Sequence, residues 1–259
     1  MPSIPPPEAV RPPGPAAGPL PDAAEGAPAL GIIVLDTRFP RIPGDVGARA
    51  SWPFPVRLAV ARGATPEAAV LRGARGAPPA LLEAVIEAGR ALTAAGCAGV
   101  ATTCGFLSVF QDALAAALEV PVASSSLMQA RLVAATLPPG RVPGILTVSA
   151  RSLTAAHLRA ADVPPGAPVG GLDPRSAFAR TLLEDLPELD REAARAEMIR
   201  AARALVAAHP RVGALVLECA NMCPYAADVA EATGLPTHSA HDFLTWFHAG
   251  LRPPRFRAP

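Results

Sequence analysis

Apolar positions in this chain fall into short runs separated by amphipathic stretches, and the alternation is regular from about residue 31 onward. Gly31-Ile32-Ile33-Val34-Leu35 is a continuous apolar run of the kind buried on both faces of a parallel sheet. Val56 to Ala61 predicts a second, weaker strand. From Pro79 to Ala95, the residues Leu82, Val85, Ile86 and Gly89 recur at helical spacing and predict a helix with one apolar face. Val100-Ala101-Thr102-Thr103 predicts a strand that ends at Cys104, and Ser108 is placed to cap a helix reaching about Leu118. Val120 to Ala123 reads as strand, Ser124 to Ser126 as the lead into a helix ending near Thr136, Gly144 to Ser149 as strand and Leu153 to Ala160 as helix. Gly166 to Asp173 holds a short strand or loop. Glu188 to Ala208 is a long helix with Pro187 near its start, where proline is tolerated. Arg211 to Glu218 is the strand running to Cys219, Ala226 to Ala232 a helix closed by Gly234, Pro236 to Ala240 a last strand and His241 to Ala249 a last helix. Strands alternating with helices throughout predict an α/β fold with mostly parallel sheets.

One unit of this pattern occurs twice. Arg90-Ala91-Leu92-Thr93-Ala94-Ala95 precedes the run to Cys104, and Arg203-Ala204-Leu205-Val206-Ala207-Ala208 precedes Val216-Leu217-Glu218-Cys219. A repeated helix–turn–strand–cysteine unit predicts two similar lobes related by a pseudo-twofold axis, with the active site in the cleft between them. The expected division is a Pro-rich disordered tail over 1–29, a first lobe of 30–124 with about 236–250, a second lobe of 125–235, and a tail over 251–259. Open parallel sheets bind ligands beyond the carboxyl ends of their strands, which is where both thiols fall. Backbone N–H groups of the following helix favour the thiolate there, below the free-thiol value of about 8.5. A thiolate and a thiol on opposite faces of one carbon make an acid and a base that exchange roles. A lone cysteine is more often a small buried hydrophobe, and Cys97 fits that description. Cys104 and Cys219 differ because they share one slot of a repeat.

Composition narrows the chemistry. The chain has 259 residues, is 51% hydrophobic and 17% charged, and carries a formal charge of +1, which describes a well-buried globular protein without the basic footprint of nucleic-acid binding. No apolar run reaches membrane-spanning length and the first residues lack a signal-peptide pattern, so the expected location is the cytoplasm, with reduced thiols. All 23 basic residues are arginine. Without lysine there is no Schiff base to pyridoxal phosphate and no P-loop lysine, so no cofactor is expected. Cys219-x3-Cys223 with His238-x2-His241 resembles zinc-ligand arithmetic. However, Cys219 closes a buried strand and a helix intervenes before His238, so no metal is expected.

The Thr102-Thr103-Cys104-Gly105 segment, paired with the later Cys219-Ala220-Asn221-Met222 segment, resembles the aspartate/glutamate/hydantoin racemase superfamily, over about Gly31 to Phe247. The resemblance implies a cofactor-independent enzyme of two α/β lobes with one catalytic cysteine each, Cys104 and Cys219. It places the acid ending the first strand at Asp36 and hydroxyls for the substrate carboxylate at Thr147 and Ser149. Gly105-Phe106 departs from the Asn-Thr of glutamate-type members, and Ala220-Asn221 departs from their Thr-His and lies nearer the hydantoin-type pattern. Further expected substrate contacts are Thr103, Gly105, Phe106, Ser125, Asn221 and Arg38, which together with Arg41 could clamp a second carboxylate, although solvated surface is the commoner place for both arginines. The implied function is racemisation or epimerisation at a carbon α to a carboxylate, by two-base proton transfer on a small acid. Alternatives are a same-fold decarboxylase, a cis–trans isomerase or a non-catalytic small-acid-binding protein. A homodimer is compatible with this reading; nucleic-acid and membrane partners are not expected.

Overall fold

A computed structural model of the chain describes residues 28–72, 76 and 78–253. The first sheet contains β1 (Leu30–Leu35), β2 (Val56–Ala61), β3 (Gly99–Thr102) and β4 (Val122–Ala123), in the order β2-β1-β3-β4. The second contains β5 (Val142–Thr147), β6 (Val169–Gly171), β7 (Val212–Leu217) and β8 (Thr237–His238), in the order β6-β5-β7-β8. Every pairing is parallel. The two orders are the same order, so β1 corresponds to β5 and β3 to β7. This is the α/β architecture of two similar lobes that the repeat predicted.

The strands form where uninterrupted apolar runs can be buried on both faces. All six residues of β1 are buried, and helices cover the sheets. α1 (Pro79–Ala94) presents Leu81, Val85, Ala88 and Leu92 inward. Its Gly89 lies against Leu118, at the end of α2 (Gln111–Leu118), where a Cβ would collide with the leucine side chain. α3 (Ala130–Thr136) and α4 (Ala155–Ala160) flank β5 in sequence. α6 (Arg191–Ala208) buries Ala194, Met198, Ala202 and Leu205 against the second lobe. α7 (Ala226–Thr233) ends at Gly234, whose φ of 67° is the left-handed conformation expected of a C-capping glycine. β8 lies on the edge of the second sheet. α8 (Ala240–Leu251) then crosses back, and its Phe243 and Leu244 join Leu30, Ile32 and Ala101 in a core cluster of the first lobe.

Several boundaries differ from the pattern for physical reasons. The chain leaves both β3 and β7 through 3₁₀ turns, Gly105–Phe110 and Ala220–Tyr225, before the α-helices begin. Ser108 therefore caps nothing: it is fully buried and donates to the His157 carbonyl at 3.1 Å, tying the turn to α4. The long helix starts at Arg191 rather than Glu188, because the Asp190 carboxylate accepts from Ala193 N–H at 2.9 Å and sets the cap. α5 (Ala177–Leu183) was not anticipated. It is one short amphipathic helix whose start is capped by Ser176. The expected tail over 1–29 lies outside the described residues except for its last two.

Candidate active site

The repeat brings its two ends together with closely matching backbone geometry. Thr103 N–H donates to Ile33 of β1 at 3.0 Å, and Glu218 N–H donates to Leu146 of β5 at 2.8 Å. These equivalent bonds extend each central strand by one residue and hold the next, Cys104 or Cys219, beyond the sheet. Both thiols face one cleft with about 390 Å³ of empty space. Its walls include Leu35, Phe39, Val70, Phe106, Val148 and Leu182 among the apolar side chains, and Arg41, Thr103, Glu218 and Asn221 among the polar ones. The turn after β4 is tied to the ends of β7 and β8 beside it: Ser126 donates to the carbonyls of Leu217 and Glu218, both at 2.8 Å, and Gln129 donates to the Ser239 carbonyl at 3.1 Å.

The electrostatics differ from expectation. The backbone N–H groups of Phe106 and Leu107 do point at the Cys104 sulfur, and that of Asn221 at Cys219, each favouring thiolate. Burial outweighs them. Both thiols are less than a tenth exposed, and the nearby Glu218 charge adds to the penalty. Cys104 is pushed up to about 12 and Cys219 well above its ordinary value. The resting thiols are therefore protonated at neutral pH, because two N–H dipoles do not replace the hydration an anion loses on burial.

Of the residues expected to bind substrate, Thr103, Gly105, Phe106 and Asn221 line the cleft. Thr103 Oγ1 is buried without a hydrogen-bond partner. Asn221 bridges the lobes, donating from Nδ2 to Asp45 and accepting from Cys219 Sγ at 3.6 Å. Asp36 is exposed and accepts from Gly63 N–H at 2.9 Å, ordering the turn after β2 instead of reaching the cleft. Arg38 also points away: its side chain is 73% exposed and pairs with Asp185 at 3.1 Å. Ser125 accepts from Leu127 N–H at 3.1 Å as the cap of the 3₁₀ turn before α3. Thr147 and Ser149, the hydroxyls assigned to a substrate carboxylate, have protein partners. Thr147 donates to Glu218 Oε2 at 2.7 Å and Ser149 to Ser152 Oγ at 2.9 Å. Neither lines the cleft.

Two further polar residues stand at the site. Arg41, expected with Arg38 on solvated surface more than as a clamp, lies on the cleft wall with Phe39 under its guanidinium at 4.6 Å from the ring centroid, and pairs with buried Asp45 at 3.2 Å. Glu218 is fully buried. Its signal was present: an acid as the last residue of an apolar run that must pack inside a sheet is unusual and calls for a partner. Cys97 packs under Gly31. Cys223 is buried in the cluster with α8 and faces Ser239, outside the cleft. Among the described residues, no group of three or more His, Cys, Asp or Glu is placed to hold a metal ion, and no helix is long and apolar enough to cross a membrane.

Two similar parallel α/β lobes that share one cleft define the class of fold, and comparison with known proteins agrees with it. The Asp/Glu/Hydantoin racemase family matches residues 58–246, and the chain belongs to that family. The fold is shared with arylmalonate decarboxylase (TM-score 0.57, 17% identity, 90% of this chain and 96% of that one). It is also shared with allantoin racemase from Klebsiella pneumoniae (TM-score 0.56, 20% identity, 87% of each chain). By sequence the chain is 28% identical over 233 residues to dimethylsulfoniopropionate lyase 5 of Emiliania huxleyi, which covers 86% of this chain. It spans only 45% of that relative's length.

Proposed function

We propose that the protein is a cofactor-independent racemase or epimerase that moves the proton α to the carboxylate of a small acid. The observation that carries this reading is the placement of Cys104 and Cys219 at equivalent ends of a duplicated strand, on one cleft. A thiolate on one face takes the α-proton, the electron pair passes into an enolate-like carboxylate, and the opposite thiol returns a proton to the other face. The first sulfur ends as thiol and the second as thiolate, so the pair is ready for the reverse direction. Arg41, Asn221 and the free hydroxyl of Thr103 supply donors for the developing negative charge, in a largely apolar cleft where such donors act strongly.

A second reading shares the first step. The likeness to dimethylsulfoniopropionate lyases supports β-elimination: on that substrate, the C–H pair would form the new double bond while the C–S pair leaves with dimethyl sulfide, giving acrylate. The two readings separate in D₂O. Aspartate, glutamate, allantoin and dimethylsulfoniopropionate are each incubated with the protein and followed by NMR. α-Deuterium with loss of optical purity supports the racemase, whereas acrylate and dimethyl sulfide support the lyase. If neither appears above the level of a Cys104→Ser/Cys219→Ser double variant, proton transfer at these substrates is excluded.

A further inference from the structure

Four buried polar side-chain atoms have no partner among the described residues: Thr103 Oγ1, Glu218 Oε1, His157 Nε2 and Tyr225 Oη. Two of these residues, Thr103 and Glu218, lie on the cleft wall. They come from opposite lobes, each being the residue before a thiol. An unpaired buried polar atom is costly, so two at one cleft call for a missing partner.

The position of Glu218 is specific. Its Oε2 accepts from Thr147, which leaves Oε1 as the oxygen free to carry a proton. Oε1 occupies the space beside Gly105, where a Cβ would collide with it and would lie 2.6 Å from the Glu218 carbonyl. The first lobe thus leaves out a side chain where the second lobe inserts a carboxyl group. The charged or titratable groups around it are Cys104 and Cys219 at the two strand ends, and Arg41 with Asp45 in the loop after β1. Arg41 and Asp45 offset one another, and both thiols are protonated. Among the described residues lining the cleft, Arg41 is the cation that faces a second anion, and its charge is already shared with Asp45.

We propose that Glu218 binds the substrate as a neutral acid, donating Oε1–H to a carboxylate oxygen beside the Thr103 hydroxyl, so that carboxylate binding takes up one proton from solvent. The inference rests on the small-acid reading above and names how that acid is held. Burial already pushes Glu218 up to about 7. A carboxylate ligand alongside raises it further, since two like charges cannot both be ionised in a desolvated cleft. Protonation of Glu218 offsets the negative charge that the ligand brings to the two thiols, so binding adds no net charge to the cleft.

The test uses phenylacetate as the probe and calorimetry in buffers of different ionisation enthalpy. Wild-type protein is expected to take up about one proton per ligand at pH 8 and close to none at pH 6, with affinity falling roughly tenfold per pH unit above about 7. Glu218→Gln reproduces the neutral acid, with its amide NH₂ toward the ligand and its carbonyl toward Thr147. Its affinity should match that of wild type at pH 6 and stay flat to pH 8.5. Binding without proton uptake in the wild type, or a Gln variant that keeps the pH slope, overturns the inference and leaves the proton-transfer reading standing. Failure of phenylacetate to bind the wild type at pH 6 also overturns the inference, while the proton-transfer reading is decided separately by the exchange experiment in D₂O. The wild-type measurement decides the matter even if the variant does not fold.

Discussion

The ends of β3 and β7 are the same structure carrying different chemistry. In the first lobe the sequence is Thr103-Cys104-Gly105, and in the second Glu218-Cys219-Ala220. Both enter through the same backbone hydrogen bond to the neighbouring central strand and leave through a 3₁₀ turn of six residues. The flanking side chains break the symmetry. The carboxyl group before the second thiol fills the space left by glycine after the first. A duplicated fold supplies two equivalent thiols at one cleft. Under the proposed function the small acid between them is not symmetric, so the groups that would hold it are not duplicated. The asymmetry lies one residue away from the shared element.

The largest effect should come from the thiols themselves. Cys104→Ser and Cys219→Ser are each expected to abolish racemisation, with losses beyond the roughly 10²–10⁴ of a single acid–base group, because either direction needs one base and one acid. Each variant should still exchange the α-proton of one enantiomer, and the two should prefer opposite enantiomers. Cys97→Ser, outside the cleft, is the control that retains activity. A fully active Cys104→Ser would leave a one-thiol mechanism on Cys219.

Next is stability as a function of pH. The folded Glu218 is raised above its ordinary value, so it favours the folded state at low pH, and that contribution is lost as pH climbs from the ordinary carboxylate range through about 7. Glu218→Gln removes the penalty. It should stabilise the protein by about 3 kcal/mol at pH 8 and change little at pH 4, as read from denaturant midpoints. An equal effect at both pH values would mean that packing, not ionisation, is responsible.

The smallest effect directly compares the residues after the two thiols. Gly105→Ala places a methyl against both the Glu218 side chain and its backbone carbonyl; the side chain could turn aside, but the carbonyl could not. The expected loss is about 2 kcal/mol, with a shift of Glu218 visible in any pH-dependent readout. The mirror change, Ala220→Gly, vacates only a methyl and should cost about 1 kcal/mol. Equal losses from the two would mean that the two strand ends are packed alike.

Much of the fold was legible because burial writes itself into local pattern. Apolar runs such as Ile32–Leu35 and Leu215–Leu217 are readable as central strands, and the repeated arginine-led helix marked the duplication. Cys104 and Cys219 were legible as a pair because they end the two repeated runs, Val100–Thr103 and Val216–Glu218. The substrate-facing set was less so. Arg38 and Arg41 stand three residues apart in one polar loop, yet one is 73% exposed beside Asp185 and the other sits over Phe39 at the cleft. Thr147 and Ser149 end the correct strand, but their hydroxyls are taken by Glu218 and Ser152, partners that the strand itself does not reveal.

By itself the sequence determined the α/β class, the two lobes and the strand ends at which the thiols stand, since these follow from periodicity and repetition within continuous stretches of chain. Tertiary structure alone decided the protonation of those thiols and the place of Glu218. Both depend on how much water is removed and which groups are brought near, and the approach of Gly105 to Glu218 joins residues more than a hundred positions apart. The N–H groups that favour thiolate are local and could be anticipated. The burial that overrides them is a property of the closed cleft.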